Sequence, residues 1–122
     1  TAQNKKFVKD FVARVGHIPT EGAGMDYYTI WTLKEALELS GKLFPDDPLN
    51  PDNIRKAFLQ LDLTSGPAVE TFTSNHIKFT ETGDNPFARA VILQVIGGEP
   101  KAVWPADAAE TDAVFPRPDA TY

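Results

Sequence analysis

The chain has 122 residues, enough for a single hydrophobic core, and its apolar and charged fractions of 42% and 24% are those of an ordinary globular protein. Seventeen acidic residues against twelve basic ones give a net charge of −5, with no local Lys/Arg cluster, so a phosphate backbone is repelled and nucleic acid is excluded as a partner. The absence of cysteine removes disulfides, thiolate metal sites and cysteine nucleophiles together.

The first element is a helix. Phe7, Val8, Phe11, Val12 and Val15 recur at helical spacing over residues 4–15, with Lys5, Lys6, Lys9 and Asp10 on the other side. Gly16 suits the position after the last turn, and Pro19 prevents resumption. A flexible glycine loop with Gly22 and Gly24 is expected next, then a second helix from about Asp26 to Ser40, closed by Gly41. Its apolar face is Tyr27, Ile30, Trp31, Leu33 and Leu37. Asn50, Pro51 and Asp52 announce a third helix as N-cap, first-turn proline and dipole-complementing acid, and Ile54, Ala57, Phe58 and Leu61 form its stripe.

After Leu63 the period changes. Gly66-Pro67 breaks the chain, His76–Phe79 alternates as a strand, and Glu81–Pro86 reads as a turn. Arg89–Ile96 is apolar at nearly every position, which predicts a strand covered on both faces. Gly97-Gly98 then turns it into Lys101–Trp104 as a hairpin that Pro105 stops. Ala106–Thr111 is expected as a short helix and Phe115–Tyr122 as an extended tail; five of the ten prolines lie from Pro86 onward. The longest apolar run, Ala90–Ile96, is far too short to span a bilayer. The chain opens at Thr1 without a leader pattern, which fits a processed or truncated product.

Motifs for chemistry are sparse. His17 and His76 have no ligand-spaced partner, and Asp46, Asp47 and Asp52 lack the alternating oxygens and central glycine of a calcium loop. No nucleophile elbow or phosphate-binding loop occurs, and no carboxylate pairing suggests acid–base work. No metal, no cofactor and no enzymatic activity are therefore expected. Tyr27, Tyr28 and Trp31 cluster early in the second helix. They read either as core or as aromatics with polar tips facing a ligand cleft, and spacing does not choose.

The order of these pieces resembles the last stretch of type I periplasmic solute-binding proteins of the branched-chain amino acid transporter type. The run Tyr27–Gly41 is similar to the family's Tyr-Asp-Ala-led helix, which ends in an Ala-Leu-Glu-x-Ala-Gly pattern. Asn53-Ile54-Arg55-Lys56-Ala57-Phe58 matches the following helix, and Ile77-Lys78-Phe79 with Gly83-Asp84-Asn85 matches a strand and turn. Val91–Val95 with Gly98 and Lys101–Pro105 matches the closing hairpin, and Asn4, Phe7, Val8 and Phe11 match the helix before the glycine loop. Tyr28 stands where the family usually shows Asp, and the linker Leu43–Pro51 is longer and more acidic than the usual short turn.

The resemblance implies an α/β architecture: a partial type I periplasmic-binding-protein fold of three main helices, then strands and a C-terminal β-hairpin. It implies that residues 1–122 are a single segment, the C-terminal part of a two-lobed receptor, exported to the periplasm. Such a receptor captures a small amino-acid-like or aromatic solute, with Tyr27, Tyr28 and Trp31 as ligand-binding candidates, and delivers it to the membrane permease of an ABC transporter. The missing N-terminal part of the receptor, or a second copy of the chain, is the expected macromolecular partner. A small stand-alone ligand-binding or protein-interaction module is the alternative.

Overall fold

A computed structural model describes residues 2–71 and 75–116. It is a mixed helix-and-strand protein with two small antiparallel sheets and two compact units, residues 1–88 and 89–122. Among the described residues no strand pairing is parallel.

The first unit is helical. Helix α1 (Ala2–Val15) ends as expected at Gly16, whose φ of +86° is open to glycine without strain and whose N–H bonds to Val12 O. Helix α2 (Glu21–Leu43) corrects the expected boundaries at both ends. Thr20 is its N-cap, with Oγ1 accepting from Ala23 N, and Glu21 complements the positive end of the dipole. Cap and charge together offset the roughly 1 kcal/mol that each of Gly22 and Gly24 costs in a helix, so the expected loop is the helix's first turn. Gly41 does not close the helix, which continues to Leu43 and is capped by Phe44 N–H on Ser40 O before Pro45.

The buried stripe of α2 also differs from the apolar face the sequence suggested. Thr32, Ala36 and Ser40, each four residues apart, are buried, whereas Ile30 is 65% exposed. Small side chains let the helices at Pro51–Gln60 and Pro67–Thr71 approach closely, and Ala57 is likewise fully buried; longer side chains on that stripe would hold the helices apart. Ser40 Oγ donates to Pro48 O at 2.7 Å, tying the connecting segment to this stripe.

Helix α3 (Pro51–Gln60) begins as expected, with Asn50 Oδ1 accepting from Asp52 N at 3.0 Å and Pro51 in the first turn. Strand β1 (Asp62–Leu63), helix α4 (Pro67–Thr71) and strand β2 (Ile77–Lys78) complete the unit. The sequence reading missed β1 and α4, which are two and five residues long and too short to show a period. The strand expected at His76–Phe79 shortens to Ile77–Lys78, paired antiparallel as Asp62↔Lys78 and Leu63↔Ile77. Ala68, Val69 and Ile77 form the core, with Trp31, Leu63 and Phe79 packed against it. Full burial of Val69 and Ile77 stabilises the fold by about 1.5–3 kcal/mol each.

The second unit is a hairpin with a return segment. Strands β3 (Ile92–Ile96) and β4 (Glu99–Trp104) join through Gly97-Gly98, both with positive φ, as a two-residue type I′ turn requires. The register pairs Ile96 with Glu99 and Gln94 with Lys101, then shifts by a bulge between Ile92 and Leu93. The expectation of a strand buried on both faces is corrected: Leu93 is 60% and Val95 71% exposed. Ala106–Thr111 forms one turn through Ala108 N to Pro105 O and not a helix, because the segment instead bends back along β4. Of the expected extended tail, residues 117–122 lie outside the described residues.

Candidate functional site

The three aromatic candidates sit within about one turn of α2, and the structure gives them different surroundings. Tyr27 meets the Phe7 ring of α1 at a 35° tilt with centroids 4.6 Å apart, and its hydroxyl accepts from Gln3 Nε2 at 3.1 Å. Trp31 meets the Tyr27 ring edge-on at 6.4 Å and packs against the Ala68–Val69–Ile77 core. Both therefore hold α2 against its neighbours. Tyr28 is half-buried, and its carbonyl accepts from Thr32 Oγ1 at 2.8 Å.

None of the three lines a concavity that the first unit forms elsewhere. That cavity, about 700 Å³ and widely open, lies between α3 and the turn after β2. Pro51, Ile54, Phe58 and Leu59 form one wall and Phe79 the floor, with Phe58 and Phe79 edge-to-face at 5.8 Å. Its volume is in the range of small-molecule sites, and its lining is mostly apolar.

The opposite wall is a turn held by its own hydrogen bonds. Thr80 N donates to Asp84 O and Gly83 N to Thr80 O, both at 2.9 Å, while Thr82 Oγ1 donates to Asp84 Oδ2 at 2.6 Å. Gly83 takes φ +88°, which closes the turn, and Glu81 and Thr82 line the cavity along with Arg55 of α3. The lining thus carries one charge of each sign among mostly apolar residues.

The sequence held a signal for this cavity. The third helix carries Ile54, Ala57, Phe58 and Leu59, with Leu61 as its C-cap, more apolar positions than one buried stripe of a ten-residue helix uses. Ala57 and Leu61 are buried, while Ile54, Phe58 and Leu59 remain only half-buried, facing the concavity.

His76 and Lys78 converge on Asp62 across the β1–β2 pair. Lys78 Nζ and His76 Nε2 bond to separate carboxylate oxygens, the latter at 2.7 Å, and His76 stacks on Phe87 with centroids 3.7 Å apart. The Lys78 ammonium first, then His76, hold the Asp62 carboxyl below the ordinary aspartate value. His17 Nδ1 lies 2.8 Å from Ile18 O, and its ring meets Phe11 edge-on. Among the described residues no three His, Asp or Glu side chains converge as a metal site would require. Comparison of the chain with protein-family models, curated proteins and solved structures gives no match.

Proposed function

We propose that this chain is the C-terminal portion of a two-lobed, periplasmic solute-binding receptor of the branched-chain amino acid type. The receptor captures a small amino-acid-like or aromatic solute without covalent chemistry and delivers it to an ATP-driven membrane permease. The reading rests on the order of its sequence landmarks. Helices α1, α2 and α3, strand β2 and the β3–β4 hairpin follow one another in the order that the resemblance implies.

One structural observation carries the reading furthest. In β3, Leu93 and Val95 project from the face opposite Gln94, and their own unit leaves that face open. An apolar strand of this kind suits a larger sheet covered by another layer, which the rest of a receptor would supply. On this reading Tyr27 and Trp31 position α2, and Tyr28 is the cluster's contact to solute.

A small stand-alone binding module is the second reading, favoured by the 700 Å³ concavity, which lies wholly within the first unit. Intact mass measurement of the protein as its cells make it separates the two. The receptor reading expects a longer chain with further α/β units and a bound-solute signal in titration. A cellular product of 13.4 kDa would overturn it.

A further inference from the structure

The cavity between α3 and the turn after β2 is built by contacts that need no ligand. Phe79 packs against the Ala68–Val69–Ile77 core and meets Phe58 edge-on. The turn is closed by its own backbone, Thr80 N donating to Asp84 O and Gly83 N to Thr80 O. Walls held in this way cost a ligand little ordering on entry. The volume of about 700 Å³ lies within the roughly 300–1,000 Å³ that holds drug-sized molecules.

Its lining also carries two exposed charges that the fold leaves unused. Arg55 belongs to α3 and Glu81 to the turn, so the two come from different elements. Among the described residues neither side chain makes an ion pair or a hydrogen bond, with the other or with any neighbour. Lys78 and Lys34, by contrast, are paired with Asp62 and Glu38. Thr82, the remaining polar side chain of the lining, is committed to Asp84 Oδ2.

We infer that this cavity binds short peptides with free termini and apolar side chains. A ligand that satisfies both charges needs its own anion and cation at the two ends of an apolar body. A dipeptide or tripeptide has that form: its carboxylate goes to Arg55, which can receive it through two N–H donors, and its ammonium to Glu81. Its side chains rest on Ile54, Phe58, Leu59 and Phe79 and leave water with them. A simple organic anion would meet Glu81 unfavourably, and a simple cation Arg55. A free amino acid carries both charges on one carbon and fills only a fraction of the volume. The inference deepens the second reading by naming a ligand for its cavity. It makes no use of Tyr28, so the receptor reading stands or falls separately, on the mass of the cellular product.

Titration of the 122-residue chain with leucyl-phenylalanine, followed by the amide resonances of the protein, provides the test. Binding is expected with a dissociation constant below about 1 mM, and the shifts should centre on residues 51–59 and 79–83. Acetylating the peptide's amino end or amidating its carboxyl end should each weaken binding about fivefold, the scale of one exposed ion pair. Arg55→Gln should bind the free and the amidated peptide alike, and Glu81→Gln the free and the acetylated one. Both variants should melt with the wild type, since neither side chain has a partner to lose. Free leucine and phenylalanine should bind at least about tenfold more weakly than the peptide. No binding of the peptide overturns the proposal, as does binding that ignores both blocked ends, shifts centred on Tyr28, or free amino acids that bind as well as the peptide.

Discussion

The side-chain amide of Gln94 and the backbone of Val114 exchange two hydrogen bonds, Gln94 Nε2 to Val114 O and Val114 N to Gln94 Oε1, both 2.8 Å. The amide thus stands in for a peptide group of a neighbouring strand, and it ties the return segment to one face of the hairpin. Gln94→Ala should release that segment and leave the β3–β4 ladder in place. Losing a pair of partly exposed hydrogen bonds should lower local stability by about 1 kcal/mol. Hydrogen exchange at Val114 should then quicken by roughly fivefold, with the Gln94 and Ile96 amides unchanged. Equal loss at all three sites would mean that the segment and the hairpin open together.

The cap of α3 is a small network. Asn50 Oδ1 accepts from Asp52 N, Asn50 Nδ2 donates to Asp47 Oδ2, and Asn53 Nδ2 donates to Asp47 O. Asn50→Ala should lower stability by about 0.5–2 kcal/mol, the usual range for a lost N-cap. Scanning calorimetry reads this directly. Unchanged melting combined with altered ligand affinity would assign the residue to function.

Asp62 supplies a pH dependence. Its folded-state pKa is depressed by Lys78 and His76, so the stabilisation is present above the ordinary aspartate range and is lost as pH falls through the depressed value. Asp62→Asn should therefore melt below the wild type at neutral pH, and the two curves should converge in acid, below the ordinary aspartate value. A difference in melting that persists undiminished in acid would show that shape, not charge, is what Asp62 contributes.

The aromatic residues of α2 separate by readout. Trp31→Ala should reduce stability by about 2–3 kcal/mol, under the range for a fully buried tryptophan because Trp31 is half-buried. If the chain belongs to the proposed receptor, Tyr28→Ala in the intact protein should weaken solute binding more than tenfold, about 1.4 kcal/mol, with little effect on melting. If Tyr28→Ala lowers only the melting temperature, Tyr28 belongs with Tyr27 and Trp31 as a packing residue.

Sequence legibility followed the length of each signal. The caps at Asn50 and Gly16 and the Gly97-Gly98 turn are local chemistry, and each stands where its residues place it. Helix α2 was legible as a helix, but its start was misread because Thr20 capping outweighs the glycines behind it. Its buried stripe of Thr32, Ala36 and Ser40 is nearly silent to a hydrophobicity pattern, since close helix approach selects for size and not apolarity. The open face of β3 was invisible for the opposite reason: Leu93 and Val95 look like core residues wherever they lie. The cavity between α3 and the Thr80–Asp84 turn joins segments far apart in the chain, and only the surplus apolar width of α3 hinted at it.

The central claim, that these residues are one part of a receptor and not a self-contained binder, is tested most directly by calorimetric titration. The 122-residue chain and the intact protein that contains it would each be titrated with the same panel of amino acids and aromatic acids. The account predicts that the intact protein binds one of them tightly and that the isolated chain, lacking the facing half of the cleft, shows weak binding or none. Micromolar binding by the isolated chain as a compact monomer would contradict it and favour a complete small binding module.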